Sequence, residues 1–240
     1  MAPSIFIVPG MYEGPTVFGP LADALLDHGF TTVHITTITS TGTKPPHSPT
    51  MDDDIAAISQ DLSSVVERAG EEGVVAVLHS AGGFLGSAAM KELTRPARKA
   101  SGKAGGAQKI IFLSAGAPPE GFEQGPLPFM NMNESEGTQT CHDPMKLLFN
   151  DVPDEEARGW VEGLQAQPVT GWGTTLAYCG WREVPSVYIV CDGDQLLPAE
   201  FQENQAARAG SEIIRLAGAG HMAQLSQTEK VASLIAEQAR

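Results

Sequence analysis

Val74-Val75-Ala76-Val77-Leu78-His79-Ser80-Ala81-Gly82-Gly83-Phe84-Leu85-Gly86-Ser87-Ala88-Ala89-Met90 decides how this chain is read. Its first five residues form an unbroken apolar run, as in a strand buried on both faces, and from Phe84 onward the sequence runs in helical register. Only the turn around Ser80 separates the two. Strand, sharp turn and helix make the setting in which a serine is lifted from the edge of a sheet. Ala81, Gly82 and Gly83 are small enough for the helix to start close to the strand. The backbone N–H of Ala81 then points to where charge develops on an attacked carbonyl oxygen. The bland alternative is that Ser80 caps the helix. The usual Gly-x-Ser-x-Gly turn has glycine two residues before the serine, and here that place is Leu78, whose side chain must fit against the following helix, opposite Gly86. His79 is expected to point away from the site and to pack in the core.

A serine alcohol is a poor nucleophile until a neighbouring base takes its proton, so Ser80 needs partners. Gly218-Ala219-Gly220-His221-Met222 follows the last strand candidate, which puts His221 on a loop at the same sheet edge. His28, His34, His47 and His142 have surface or loop explanations. An orienting carboxylate belongs after the penultimate strand, where Cys191-Asp192-Gly193-Asp194-Gln195 offers two. Asp194 stands in the loop beyond Gly193 and is preferred as the orienter, while Asp192 lies nearer the strand end and can serve the turn; both stay open on the residues alone. Serine, acid and histidine occur in the chain order expected of such a triad. After the first strand, Met11 directly follows Gly10 and is the candidate for a second oxyanion N–H, with an ordinary turn-rich loop as the alternative. Tyr12 beside it is a candidate substrate contact.

Outward from these motifs, short apolar runs alternate with amphipathic segments. Strands are expected at Ser4–Val8, Thr31–Thr36, Val74–Leu78, Lys109–Ser114, Val187–Cys191 and Glu212–Leu216. Helices are expected at Val17–His28, Asp52–Ala69, Gly82–Leu93, Pro198–Ala209 and Met222–Glu237. Thr50 or Asp52 is a possible cap of the second helix, and Asp52-Asp53-Asp54 faces the positive end of its dipole. The fold class is α/β, with a mostly parallel, doubly wound sheet of about six strands in one domain spanning 1–240. At about 118–181 the alternation breaks into a Gly- and Pro-rich segment, read as a small, helical lid or cap. It contains one short helix around 153–164 and supplies Phe129, Met130, Trp160 and Trp181 as candidate substrate contacts.

The 240 residues carry 15 Lys+Arg against 29 Asp+Glu, a formal charge of −14 that repels nucleic acid and anionic membrane surfaces. Basic residues gather only between Lys91 and Lys109, read as a helix C-terminus followed by a solvated loop. Cys141, Cys179 and Cys191 are too few and too widely spaced for a disulfide framework, and no cluster has metal-ligand spacing. Ser4-Ile5-Phe6-Ile7-Val8 opens with no basic lead, and no apolar stretch is long enough to cross a bilayer. The expectation is a cytoplasmic protein that acts on a small molecule, with no metal and no cofactor; monomer and homodimer are both compatible with the sequence.

Phe6-Ile7-Val8-Pro9-Gly10, Leu78-His79-Ser80-Ala81-Gly82-Gly83, Asp194-Gln195-Leu196-Leu197-Pro198 and Gly220-His221-Met222 together resemble the α/β-hydrolase superfamily. The resemblance is to its compact methylesterase and hydroxynitrile-lyase-like group, including fungal and bacterial hydrolases. It covers nearly the whole chain, with the fold's first two strands absent, as in that group. It implies that the carboxylate in the Asp-Gln-x-x-Pro place, Asp194, orients the histidine, and that Phe149 through Trp181 corresponds to the cap. Pro9 stands where a histidine is common in the group. The function expected is a serine esterase that cleaves a carboxylic ester, lactone or thioester of a small or medium apolar metabolite through an acyl-enzyme. The group also implies two alternatives. One is non-hydrolytic lyase or cyclase chemistry, which a lysine in the lid beside the triad would favour, Lys146 being the only one. The other is a ligand receptor that retains the triad.

Overall fold

Along each central strand, odd and even residues go to opposite hydrophobic layers. The computed structural model describes residues 2–240. Its strands are β1 (Ser4–Val8), β2 (Val33–Ile35), β3 (Val74–Ser80), β4 (Ala107–Ala115), β5 (Met130–Asn133), β6 (Thr138–Cys141), β7 (Gln167–Pro168), β8 (Ser186–Cys191) and β9 (Glu212–Leu216). Six of them form one sheet in the order β2-β1-β3-β4-β8-β9, and every neighbouring pair is parallel. Ile5, Ile7, Val75, Val77, Ile111, Leu113 and Ile189 belong to one buried layer. Phe6, Val8, Ala76, Leu78, Ile110, Phe112 and Tyr188 belong to the other. Burial on both faces is why these strands read as continuous apolar runs.

The first layer is covered by α1 (Gly19–Asp27) and, at the end of the chain, by Val231, Ala232, Ile235 and Ala236. The second is covered by α2 (Met51–Ala69) through Ile58, Leu62, Val65 and Val66 and by α3 (Gly82–Ala89). Thr50 caps α2 in a reciprocal capping box with Asp53. Asp54, also in the first turn of α2, is fully buried; its carboxylate accepts hydrogen bonds from the N–H and hydroxyl of Ser40.

α3 ends at Ala89, short of the expected Leu93. The chain must leave the helix so that Thr94 can bridge to Ala107 at the start of β4, and Thr94 then caps α4 (Arg95–Ala100). The basic stretch thus holds a second short helix with Arg98 and Lys99 in its last turn, followed by an exposed loop at 101–104. Arg98 is buried in it, donating to Glu67 and to the carbonyl of Ala104.

Between β4 and β8 lie α5 (Pro144–Leu147) and α6 (Asp154–Glu162), together with an antiparallel sheet ordered β5-β6-β7. After β8 come α7 (Ala199–Ala209), α8 (Ala223–Ser226) and α9 (Thr228–Ala239). α8 and α9 divide the single helix expected at the C-terminus. The Thr228 hydroxyl takes the carbonyls of Gln224 and Leu225, which a continuous helix would use for its own ladder. No described helix is long and apolar enough to cross a membrane.

The chain runs from β1 outward to β2 and then returns to β3 on the other side of β1. Loops leaving the carboxyl ends of β1 and β3 therefore diverge, which opens a crevice at that edge.

Candidate active site

Ser80 is the last residue of β3, and its φ of 51° lies in the left-handed region. For serine this costs roughly 1–3 kcal/mol, which the surrounding structure must offset. The conformation turns the chain from strand into helix and presents the hydroxyl at the sheet edge. The carbonyl of Ser80 is held by the N–H of Gly116, 3.0 Å away. Leu78 fits two residues earlier because Gly86 leaves room for it. A Cβ at Gly86 would lie 2.5 Å from Cδ2 of Leu78. The glycine expected inside the elbow has in effect moved to the facing helix.

His221 is fully buried on the loop between β9 and α8, and its Nδ1 lies 2.8 Å from Oδ2 of Asp194. An ionised carboxylate only accepts, so Nδ1 is the donor in this pair and Nε2 is the ring nitrogen turned away from Asp194. Asp194 is itself fixed. Its Oδ1 accepts from the N–H groups of Leu196 (2.7 Å) and Leu197 (2.9 Å), and its Oδ2 also accepts from the Ser114 hydroxyl. Burial opposes its charge. The neighbouring His221 and these hydrogen bonds outweigh burial and hold the carboxyl below its ordinary value. Asp192 instead pairs with Arg215 at the surface. Of the two carboxylates offered by the sequence, Asp194 is the one brought to the histidine. The loop that carries His221 is tied down through Asp151, which accepts from the N–H of Gly220 and the hydroxyl of Ser226.

Ser80 and His221 face one cavity, yet Nε2 of His221 is buried without a hydrogen-bond partner among the described residues. The bond from the Ser80 hydroxyl to Nε2 is thus not made in this structure. Such contacts are often loose without substrate and tighten in the complex. Met11 and Ala81 flank Ser80 at the cavity wall, and neither backbone N–H is hydrogen-bonded to another described residue.

The structure departs from expectation at His79. It is fully buried, but it is no passive packing residue. Nδ1 lies 3.1 Å from Oε2 of Glu13, Nε2 lies 3.0 Å from the carbonyl of His221, and the two histidine rings are 4.7 Å apart. Burial works against a charge on His79. Glu13, the His221 carbonyl and the field of Asp194 outweigh it and raise the imidazole above its usual value. Glu13 also accepts from the N–H of Gly10 at 2.9 Å, so one carboxylate joins the loop after β1 to the elbow. Glu13, His79 and His221 can each bring one ligand atom to within 4.8 Å of the others, but Oε2 of Glu13 and Nδ1 of His79 are already engaged with each other.

The cavity measures about 300 Å³, at the small end for a ligand site. Tyr12 and Phe129 line it as the sequence suggests. Met130 does not, because β5 turns it into a separate hollow beside Met132 and Trp172. Trp160 and Trp181 also lie outside the cavity. The former packs on the core and donates to Glu156, and the latter packs on the core beneath Arg182. The walls that sequence reasoning missed include Phe84, Phe122, Leu148, Leu196, Phe201 and Arg208. A helical-face reading of α7 would have grouped Phe201, Gln205 and Arg208, spaced four and three apart. Nothing local marks Glu13. Lys146 is exposed and does not line the cavity.

Among known proteins, the chain is 29% identical to the Alpha/beta hydrolase nvfD of Aspergillus novofumigatus, over 98% of this chain and 96% of that one. Its fold is similar to that of polyneuridine aldehyde esterase, with a TM-score of 0.76 and 18% identity over 99% of this chain and 100% of the other. It is also similar in fold to tomato methylketone synthase I complexed with 2-tridecanone, with a TM-score of 0.78 and 15% identity over 100% and 98% of the two chains. At such identities these two likenesses concern the fold alone. Residues 5–234 match the profile described as the alpha/beta hydrolase family, and the chain belongs to that family.

Proposed function

We propose that this protein is a serine hydrolase that cleaves a carboxylic ester, lactone or thioester of a small or medium apolar molecule. One observation carries the reading: His221, oriented by a buried and ionised Asp194, faces the same largely apolar cavity as a serine held at positive φ. In the proposed reaction, Nε2 of His221 takes the proton of Ser80 as Oγ attacks the carbonyl carbon. The N–H groups of Met11 and Ala81 bind the oxyanion. Asp194 stabilises the imidazolium that results. His221 then protonates the leaving alcohol or thiol, leaving an acyl group on Ser80 that water removes.

The position of Lys146 bears on the lyase alternative. Cyanohydrin cleavage calls for a cation beside the leaving cyanide; Lys146 is exposed and does not line the cavity, and the cation that does line it is Arg208. The test is a p-nitrophenyl ester chain-length series on wild type and Ser80→Ala, with a fluorophosphonate probe alongside. Wild type is expected to turn over short and medium esters and to be labelled, and the variant to do neither. Absence of labelling with equal turnover by both proteins overturns the proposal. Single-turnover binding with slow release would point to a ligand receptor instead.

A further inference from the structure

Two buried polar atoms in residues of the cavity wall lack a hydrogen-bond partner among the described residues: Nε2 of His221 and Oε1 of Glu13. The proposed serine mechanism accounts for the first and leaves the second unused. Glu13 is 2% exposed, and a buried carboxylate oxygen with no donor loses its hydration without a replacement. The other oxygen, Oε2, is occupied by Gly10 N–H and His79. Gly10 lets the loop after β1 approach the nucleophile closely: a methyl group on it would lie 2.6 Å from Cβ and 3.0 Å from Oγ of Ser80 and 2.9 Å from Oε1 of Glu13, so Oε1 and the nucleophile border the same spot. A carboxylate oxygen of Glu13 and a ring nitrogen of His221 lie within 4.8 Å of each other. One water making two hydrogen bonds of about 2.8 Å closes such a gap.

We propose that Oε1 of Glu13 and Nε2 of His221 together hold the water that hydrolyses the acyl-enzyme. The inference rests on the serine-hydrolase reading above. One O–H of the water donates to Nε2 and the other to Oε1, which leaves a lone pair of its oxygen for the acyl carbon on Ser80. As the new C–O bond forms, His221 takes one proton. When the tetrahedral intermediate collapses, the bond from carbon to Oγ breaks and His221 returns that proton to Ser80. The carboxylic acid leaves with the oxygen of the water. Glu13 accepts a hydrogen bond throughout and is not consumed. Acylation does not involve this water, so Glu13 acts chiefly on the second half of the reaction.

The variant is Glu13→Gln, which keeps a carbonyl oxygen for Gly10 and His79 and replaces the water's acceptor with an N–H donor. Stopped-flow release of p-nitrophenol is followed in wild type and variant, with the acyl adduct on Ser80 read by mass spectrometry. The expected result is a burst of about one equivalent, a steady rate lowered about 10- to 100-fold, and accumulated acyl-enzyme. kcat and KM fall together, so kcat/KM changes much less than kcat. Hydroxylamine, as an external nucleophile, is expected to restore turnover of the accumulated acyl-enzyme. Equal slowing of acylation and deacylation, or no change in either, overturns the inference, since a mere brace of the loop would affect both steps alike. Should the Gln variant fail to fold, Glu13→Asp keeps the charge and withdraws the oxygen by one methylene, and the same accumulation is expected. If wild type itself neither turns over ester nor reacts with fluorophosphonate, the serine-hydrolase reading has failed. If wild type does both and the Glu13 variants match it, only the role of Glu13 has failed.

Discussion

Leu78 and Gly86 interlock beneath the elbow, and breaking that fit from either side makes a quantitative test. In Gly86→Ala the new methyl would lie 2.5 Å from Cδ2 of Leu78 and 3.0 Å from Cγ2 of Val8, closer than such atoms pack. Overpacking of this kind costs about 1–3 kcal/mol, and the better helix propensity of alanine returns about 1 kcal/mol. Leu78 is fully buried, so Leu78→Ala leaves a void and costs about 2–5 kcal/mol. In the double variant the methyl at position 86 enters part of that void. Its destabilisation is therefore expected to be about 1–2 kcal/mol smaller than the sum of the single variants. The assay is urea unfolding of all four proteins, comparing midpoints at constant slope. For a chain of this length each kcal/mol also moves Tm by about 2–4 °C. Because Leu78 lies two residues before Ser80, Gly86→Ala should slow fluorophosphonate labelling by roughly tenfold, and adding Leu78→Ala should restore most of it. Additivity within about 0.5 kcal/mol would refute the claim that Gly86 makes room for Leu78.

Further outcomes follow from the site. Asp194→Asn removes the acceptor that fixes the His221 tautomer, and kcat on a p-nitrophenyl ester is expected to fall by about 10⁴, as in serine proteases. Asp192→Asn loses only a surface pair with Arg215 and should change kcat less than about threefold. The Asp194 carboxyl titrates below its unfolded value of about 3.9, so its stabilising contribution is present above about pH 4 and disappears as pH falls through the lower native value. Urea midpoints across acid pH should therefore drop less steeply in Asp194→Asn than in wild type. His79 has the opposite sign. Its native value is raised, so its contribution is full below about pH 6.5 and is lost as pH rises through that higher value. His79→Gln is expected to flatten that part of the alkaline decline in unfolding midpoint. Phe129→Ala and Leu148→Ala should raise KM for longer esters, whereas Trp160→Ala and Trp181→Ala should leave it within about twofold, as measured by steady-state kinetics.

Most of the sheet is legible in the sequence. β1 matches its expected span and β3, β4 and β8 extend theirs by one to three residues, because strands buried on both faces stand out as apolar runs between turn formers, while the largely exposed edge strand β9 also matches its span. The cap was less legible. β5 to β7 are short, partly exposed and polar, as in Met130-Asn131-Met132-Asn133, and β6 pairs with a two-residue β7 that is distant in sequence. Trp160 and Trp181 are aromatic residues of the cap whose packing against the core explains them without any ligand.

What the sequence determined by itself was the local grammar: the elbow that presents Ser80, the small-residue loop that carries His221, and the order of the chemical groups along the chain. These depend on backbone geometry and periodicity over a few residues, which the residue types dictate directly. Only the tertiary structure decided that Asp194 and not Asp192 meets His221, that Glu13 reaches back to His79, and that Phe201 of α7 shares a cavity wall with Phe84 of α3. Each of these is a contact across many residues, set by how the strands stack and where the loops at their carboxyl ends converge. Two carboxylates separated by one glycine look alike in a sequence, and they differ physically only once one is desolvated beside an imidazole and the other lies at the surface beside a guanidinium.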